Sequence, residues 1–478
     1  MERTGVETRP RDPRPWLRSV VTDPARCFLA VGAVVGVLLV FVVPPLGGID
    51  EPAHFVRAYQ ISTGRLVPIT PPGQEKGAGA CIPRELDHQL AVLIFENYRR
   101  VVNTGSDTTF QYKGGIRRGC PPDERFSDFS AFGWYSPISY LPQASVILVG
   151  RGLGFDAEAL ATVARLAGLA AYLALVFFAI RRCPFARWGL CAVGLLPVAL
   201  FQAATSRAPD AVTIGIGMLV LGAALRAVRG GTSVAAGGSP LVERIALCMV
   251  LGALKPTYAL LSVCFLLPLF RKPRTERVTT MFAPIVAAFA TSAVWQSYAG
   301  HFFVCDTTFF GYSPNAHDQL RTILNHPFTY AWHVVSSFGD YGGKWIEEAL
   351  TVGATVSNWV WPAVALGLIA YVVAGARRDA TEQFTLNWLQ RGLLLLIVAV
   401  GAVAVISGEH VYCAPVGLDI LYPPHARHFL PVLPLLAVAL TPSRSEGGGR
   451  TIADRIPAMP IMTTVATAFL VTTYLRYN

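Results

Sequence analysis

Charge is what this chain has least of. Asp, Glu, Lys and Arg together make up 15% of its 478 residues, where soluble globular domains carry about a quarter. That shortfall argues against a soluble enzyme. Cysteine is sparse as well, 9 residues in all, far below the density of a secreted disulfide scaffold. Disorder is excluded from the other direction, because 53% of the chain is hydrophobic. Acidic residues are outnumbered by basic ones, 30 against 40. The arginines, however, fall in short runs between apolar stretches, which marks the loops of a membrane protein, so no nucleic-acid partner is expected. In place of charge the chain has long apolar runs and a mean hydropathy of +0.45. The expected fold class is therefore an all-α polytopic protein in a lipid bilayer.

A helix needs about 20 apolar residues to cross the hydrocarbon core. The first such run, Cys27 to Leu46, follows Arg3, Arg9, Arg11, Arg14, Arg18 and Arg26, which place residues 1–26 in the cytoplasm. No small-residue cleavage site follows it, so it reads as an anchor. The next clear run, Ala157 to Ile180, ends in Arg181, Arg182 and Arg187, which makes 47–156 one large extracytoplasmic loop. Within that loop Tyr135 to Gly150 is apolar but short and holds Pro137 and Pro142, so it is expected to lie at the interface. Further spans are expected at 189–206, 211–228, 242–254, 257–270, 279–298, 353–374, 391–408, 429–442 and 458–475, about eleven helices in all. The pair 242–254 and 257–270 is short enough to be a re-entrant hairpin instead. A second outside loop covers 299–352, and 353–478 holds the C-terminal spans. Gly230–Gly238 and Ser443–Gly449 read as flexible linkers.

On this topology Cys81, Cys120, Cys305 and Cys413 face the oxidising side. Pairing of Cys81 with Cys120 and of Cys305 with Cys413 is expected, with free thiols as the alternative. Leu86, Leu90, Leu93 and Ile94, followed by Arg99 and Arg100, suggest a helix on the membrane surface or, equally, a packed helix of the first loop. Aromatics crowd the outside segments, among them Trp134, Tyr135, Phe309, Phe310, Tyr312, Trp332 and Trp345. Interface belts explain most of these, and stacking on a sugar is open to one or two.

Directly after the first apolar run stands Asp50-Glu51-Pro52-Ala53-His54-Phe55-Val56-Arg57. Two adjacent carboxylates at a membrane edge are costly to dehydrate and need a reason. One reason is a helix start, with Asp50 as the cap and Pro52 in the first turn. That leaves His54 and Arg57 unexplained. Glu51, His54 and a further histidine are the residues open to a divalent metal, although no His-Glu-x-x-His spacing occurs. Apart from that, no cofactor is indicated.

Five runs, DEPAHFVRAYQISTGRLVP, YSPISYLPQA, LLPVALFQAATSRAPD, LGALKPTYALL and ARHFLPVLPLL, together resemble the bacterial membrane family filed as domain of unknown function 2142, from Leu46 to Leu440. That family is in turn similar to the GT-C glycosyltransferases, such as the aminoarabinose and protein mannosyl transferases. The resemblance implies a transferase of the bacterial plasma membrane that takes a sugar from a polyprenyl-phosphate lipid and passes it to a cell-envelope acceptor on the outer face. It aligns Asp50 with a catalytic carboxylate, Asp210 with a second acidic position and Lys255 with a lysine near the lipid phosphate. Pro256 stands where those enzymes usually have Gly.

The chemistry gives these residue types reasons to be present. A carboxylate acting as general base on an acceptor hydroxyl contributes roughly 10² to 10⁴ in rate, the role expected of Asp50. Cations beside the phosphate leaving group stabilise its growing charge, and Arg57, Lys255 and Arg427 are candidates, with His54, His425 and His428 as further substrate-binding residues. A direct displacement inverts the anomeric centre, and a second carboxylate, Asp210 or Glu51, favours the oxocarbenium-like sugar. Against these roles stand a simple cap for Asp210, a snorkelling side chain for Lys255 and an interfacial turn for the His425–His428 segment. The competing functions are a transporter or flippase of lipid-linked sugars and a glycan polymerase or ligase. A transporter favours charges at mid-membrane and repeated halves, neither of which is evident. A polymerase or ligase places its large loop late in the chain.

Overall fold

The computed structural model describes residues 22–48, 50–71, 73–103, 119–206, 208–229, 240–271, 277–305, 314–351, 385–417, 424–441 and 473–474. The expected span 353–374, all of 458–475 but residues 473–474, both linkers, Arg207, the arginines before residue 22 and the aromatics Phe309, Phe310 and Tyr312 lie outside the described residues. Helices dominate what remains. In chain order they are α1 (Pro24–Val42), α2 (Glu51–Ser62), α3 (Arg84–Asn103), α4 (Leu141–Gly152), α5 (Ala157–Arg182), α6 (Arg187–Gly194), α7 (Pro197–Ala204) and α8 (Ala208–Arg229). They continue with α9 (Pro240–Leu254), α10 (Val278–Ala299), α11 (Ala316–Asn325), α12 (Pro327–Thr351), α13 (Trp388–Cys413) and α14 (Leu433–Leu440).

Among the described residues α1, α5, α8, α10 and α13 are long and apolar enough to cross a membrane. The pair α6 and α7, bent by 57° at a short break, makes a sixth span if counted as one. Pro197 at the start of α7 explains the bend, since its ring and missing N–H interrupt the helix ladder there. The membrane protein is thus helical, with fewer spans among the described residues than the apolar runs suggested. Residues 256–270 form a 3₁₀ helix, about 30 Å long at 2.0 Å per residue, where an α-helix of that length reaches about 22 Å.

Local sequence accounts for the main elements. Asp23 caps α1 by accepting from the N–H of Ala25 at 2.9 Å, with Pro24 in the first helical position. Val34, Leu38 and Phe41 lie exposed along one face of α1, while Phe28, Val35 and Leu39 are buried. This is the division expected of a helix with one side to lipid and the other to protein. Buried side chains of α1, α5, α6, α7 and α8 form the main core together with the 3₁₀ helix 256–270. α9 and α10 meet closely at Gly252, where an added Cβ would lie 2.1 Å from the Ala288 carbonyl oxygen.

Described residues between Leu46 and Ile147 build a second, smaller core that runs onto the start of α5. Strands β1 (Gly79–Pro83) and β2 (Glu124–Asp128) pair antiparallel, Cys81 opposite Phe126. Leu86, Leu90 and Ile94 of α3 are buried in this core, so the packed-helix alternative holds and those side chains do not face a membrane surface. α4 is only 12 residues, about 18 Å, too short to span. It packs instead on α2 and α5.

One ion pair fastens the two cores. Arg165, in the interior of α5, is fully buried and donates from Nε to Glu51 Oε1 at 2.6 Å and from Nη2 to Glu51 Oε2 at 2.7 Å. Its Nη1 donates to the carbonyls of Val40 and Val43, and Nη2 to that of Pro44. Val40 lies in the last turn of α1, where carbonyls lack helical partners, and Val43 and Pro44 directly follow that helix. Glu51 also accepts from the Gly48 N–H at 2.9 Å. The catalytic and metal roles considered for Glu51 are therefore corrected: its carboxylate is consumed by Arg165 and the backbone.

Removing one partner of a buried pair leaves the other charged and unpaired, a loss of about 3–5 kcal/mol. Glu51→Gln is expected to lower the Tm of detergent-solubilised protein sharply. The double change Glu51→Leu with Arg165→Met is expected to recover much of that loss.

Candidate functional site

A cavity of about 210 Å³ opens between α13, the 3₁₀ segment Ala426–Val432, the turn before α2 and the break between α9 and the 3₁₀ helix 256–270. Asp50, Lys255, His425, Arg427 and His428 line it, five of the residues singled out from sequence. Each is placed by a local device. Asp50 sits just before α2 with φ of 66°, in the left-handed region that Asp tolerates better than most residues. It holds the N-cap position of α2, yet its side chain makes no cap hydrogen bond, so the cap reading is corrected. Glu51 turns into the core while Asp50 turns to the cavity.

Lys255 precedes Pro256 and is extended, as a residue before proline must be, at the break between α9 and the 3₁₀ helix. Its ammonium pairs with Asp210 and lies 4.9 Å from the centre of the Tyr135 ring. Asp210 is the third residue of α8 and does not line the cavity; it lies behind Lys255 and Arg427. Arg427 donates from Nη2 to Asp50 Oδ2 at 2.7 Å, and its Nε lies 3.8 Å from Asp210 Oδ2. Asp50, Arg427, Asp210 and Lys255 thus alternate in sign along one chain of contacts. All four are mostly buried.

α12 holds the far wall. Trp345 Nε1 donates to the Pro424 carbonyl at 2.7 Å, and Glu348 accepts from the Ala426 N–H at 2.9 Å with His425 Nδ1 3.6 Å away. Burial pushes the Glu348 carboxyl up, but His425 and the Ala426 N–H outweigh it and hold the group below the usual carboxylate range. Disulfides join Cys81 to Cys120 and Cys305 to Cys413, and the second of these lines the cavity.

Two expected site residues are placed elsewhere. His54 Nδ1 bonds the Tyr140 hydroxyl at 2.8 Å, with the rings of Phe132 and Tyr135 beside it. Arg57 donates to Gln60 Oε1 at 2.5 Å and to the Leu66 carbonyl at 2.9 Å, fastening the GRLVP turn to α2. Burial pulls its guanidinium down to about 10, still charged at neutral pH. The substrate-binding roles considered for His54 and Arg57 are corrected accordingly. The residues considered for a metal do not fit one, since Glu51 is bound to Arg165 and His54 to Tyr140. Among the described residues no three His, Cys, Asp or Glu side chains are grouped as ligands.

The sequence reading missed Glu409. It lies one turn before the end of α13, lines the cavity and has its Oε1 3.6 Å from His428 Nδ1. The expected span stopped at 408, so the run Glu409-His410 was passed over as loop. An ionisable pair at the end of an apolar helix was the available signal.

Fold and cavity together define a polytopic helical membrane protein with a polar, ion-paired pocket. The family described as predicted membrane protein, DUF2142, matches residues 33–436, and the chain belongs to it. No curated protein and no solved structure matches it.

Alkylation of the unfolded protein before and after reduction, read by peptide mass, tests the disulfides. Cys81, Cys120, Cys305 and Cys413 are expected to label only after reduction, and Cys27, Cys183, Cys191, Cys248 and Cys264 without it.

Proposed function

We propose that this protein is a GT-C-like glycosyltransferase that moves a sugar from a polyprenyl-phosphate donor to an acceptor outside the bacterial plasma membrane. The observation that carries this reading is the meeting of Asp50, Lys255 and Arg427 in one cavity, drawn from chain positions far apart. A sugar transfer from a phosphate lipid needs these two kinds of group: a carboxylate to take the acceptor's proton and cations for the leaving phosphate. Arg427 has five N–H donors and Lys255 three, more than their carboxylate partners occupy. Either can therefore hold a phosphate oxygen while staying paired. Asp50 and Glu409 are the carboxylates that face the cavity among the described residues, and Asp50 is the base put forward by its motif. The cavity is walled by helix ends and connecting turns, as suits a donor whose lipid stays in the bilayer while its sugar is presented to water.

Envelope glycan composition in a deletion strain tests the reading. Loss of a sugar that wild-type protein restores supports it, and the missing sugar names the donor. Arg427→Met, made at the wild-type level, is expected to leave that sugar absent or reduced at least tenfold. An unchanged glycan in the deletion strain counts against transfer and in favour of transport or a structural role.

A further inference from the structure

Asp50 and Glu409 reach the same cavity in different electrostatic states. Asp50 accepts a hydrogen bond from the Arg427 guanidinium at 2.7 Å. A carboxylate held this way by a cation binds a proton weakly, because protonation would break a charge-assisted bond. Asp210 is in the same position with Lys255 and does not line the cavity. Glu409 differs. Among the described residues its one ion-pair contact is with His428, at 3.6 Å, and no Lys or Arg stands at pairing distance from it.

One hydrogen bond at the His428 ring bears on what Glu409 sees. Arg427 Nε donates to His428 Nε2 at 3.3 Å. A ring nitrogen that accepts carries no hydrogen, so the single ring proton sits on Nδ1, the nitrogen that faces Glu409. His428 is therefore a neutral imidazole whose N–H is turned to the carboxylate. It stands 3.6 Å from Glu409 without contributing a full positive charge.

The backbone gives Glu409 a rigid mount and an open approach. It lies one turn before Cys413, whose disulfide to Cys305 ties the end of α13 to the segment after α10. Beside it Gly408 lines the cavity, and a Cβ there would meet no atom within 4 Å. A hydroxyl group entering the cavity has room to reach the carboxylate.

We propose that Glu409, oriented by His428, is the general base of this cavity, and that Asp50 acts by holding Arg427 toward the leaving phosphate. The proposal rests on the transferase reading. In the step, the acceptor oxygen bonds to the anomeric carbon as its proton passes to a Glu409 oxygen. The bond from that carbon to the phosphate oxygen breaks, and its electron pair stays on the phosphate. The phosphodiester monoanion becomes a monoester dianion beside Lys255 and Arg427. Glu409 afterwards returns its proton to water. Asp50 is then a positioning residue and Glu409 a catalytic one.

The test uses membrane vesicles from the deletion strain carrying each variant, with initial incorporation of the missing sugar as the readout. Glu409→Gln, with protein level and the Cys305–Cys413 disulfide unchanged, is expected to slow incorporation by roughly 10² to 10⁴. Glu409→Ala is expected to regain part of its rate in added sodium formate, a small carboxylate that fits the vacated space; a structural defect would gain nothing. Asp50→Asn is expected to lose rate with no gain from formate. Wild-type rates in Glu409→Gln, or formate rescue of Asp50→Ala and not of Glu409→Ala, overturn the assignment and leave the transferase reading standing. A deletion strain that lacks no sugar removes both.

Discussion

Arg165 lies in the interior of an apolar helix, where an unmatched guanidinium would be strongly unfavourable, and every contact it makes reduces that penalty. It takes both oxygens of Glu51 and three carbonyls at and just after the end of α1, those of Val40, Val43 and Pro44. The arrangement fixes where α1 stops, where α2 starts and how the smaller core sits on α5. It also determines what Asp50 can do. With Glu51 drawn inward, its neighbour has the opposite side of the chain available, and the left-handed backbone at Asp50 turns that carboxylate toward Arg427. Two adjacent acids thereby serve separate ends, one cohesive and one facing the cavity.

The cavity follows a similar economy of charge. Asp50, Arg427, Asp210 and Lys255 neutralise one another in sequence, so the pocket carries strong local fields with little net charge among those four. Such a set would suit the phosphate of the proposed donor, since Arg427 and Lys255 have more N–H donors than their present partners occupy. Glu409 and His428 stand beside this set without adding a cation of their own. The aromatic wall around Trp134, Phe303 and Tyr412 closes one side, with Trp134 and Phe303 stacked at 4.0 Å between ring centres.

Much of this was legible in the sequence, and the exceptions have physical causes. Apolar run length located α1, α5, α8, α10 and α13, because crossing a bilayer imposes a length that composition reveals. It did not distinguish a 3₁₀ helix at 256–270 from an α-helix, since both are equally apolar. Asp50, Lys255 and Arg427 stood out as charges next to apolar runs, and they meet. Glu51, His54 and Arg57 stood out for the same reason and do not join them. Adjacency in a motif carries no information about which way each side chain turns. Arg165 and Glu409 were overlooked because each sits within or at the end of an apolar run, where attention went to the run itself. His54 shows the same limit: only the packing of residues 132–140 against α2 reveals that its partner is the Tyr140 hydroxyl.

The alternating charges of the cavity come from positions 50, 210, 255 and 427, so the set closes only near the end of synthesis. A nascent chain that has reached Lys255 holds one cation for two carboxylates, and Asp50 waits for Arg427 through more than a hundred and fifty further residues. Until then Asp50 lacks the guanidinium that it accepts from in the complete chain. Completion of the polypeptide and completion of the pocket therefore coincide.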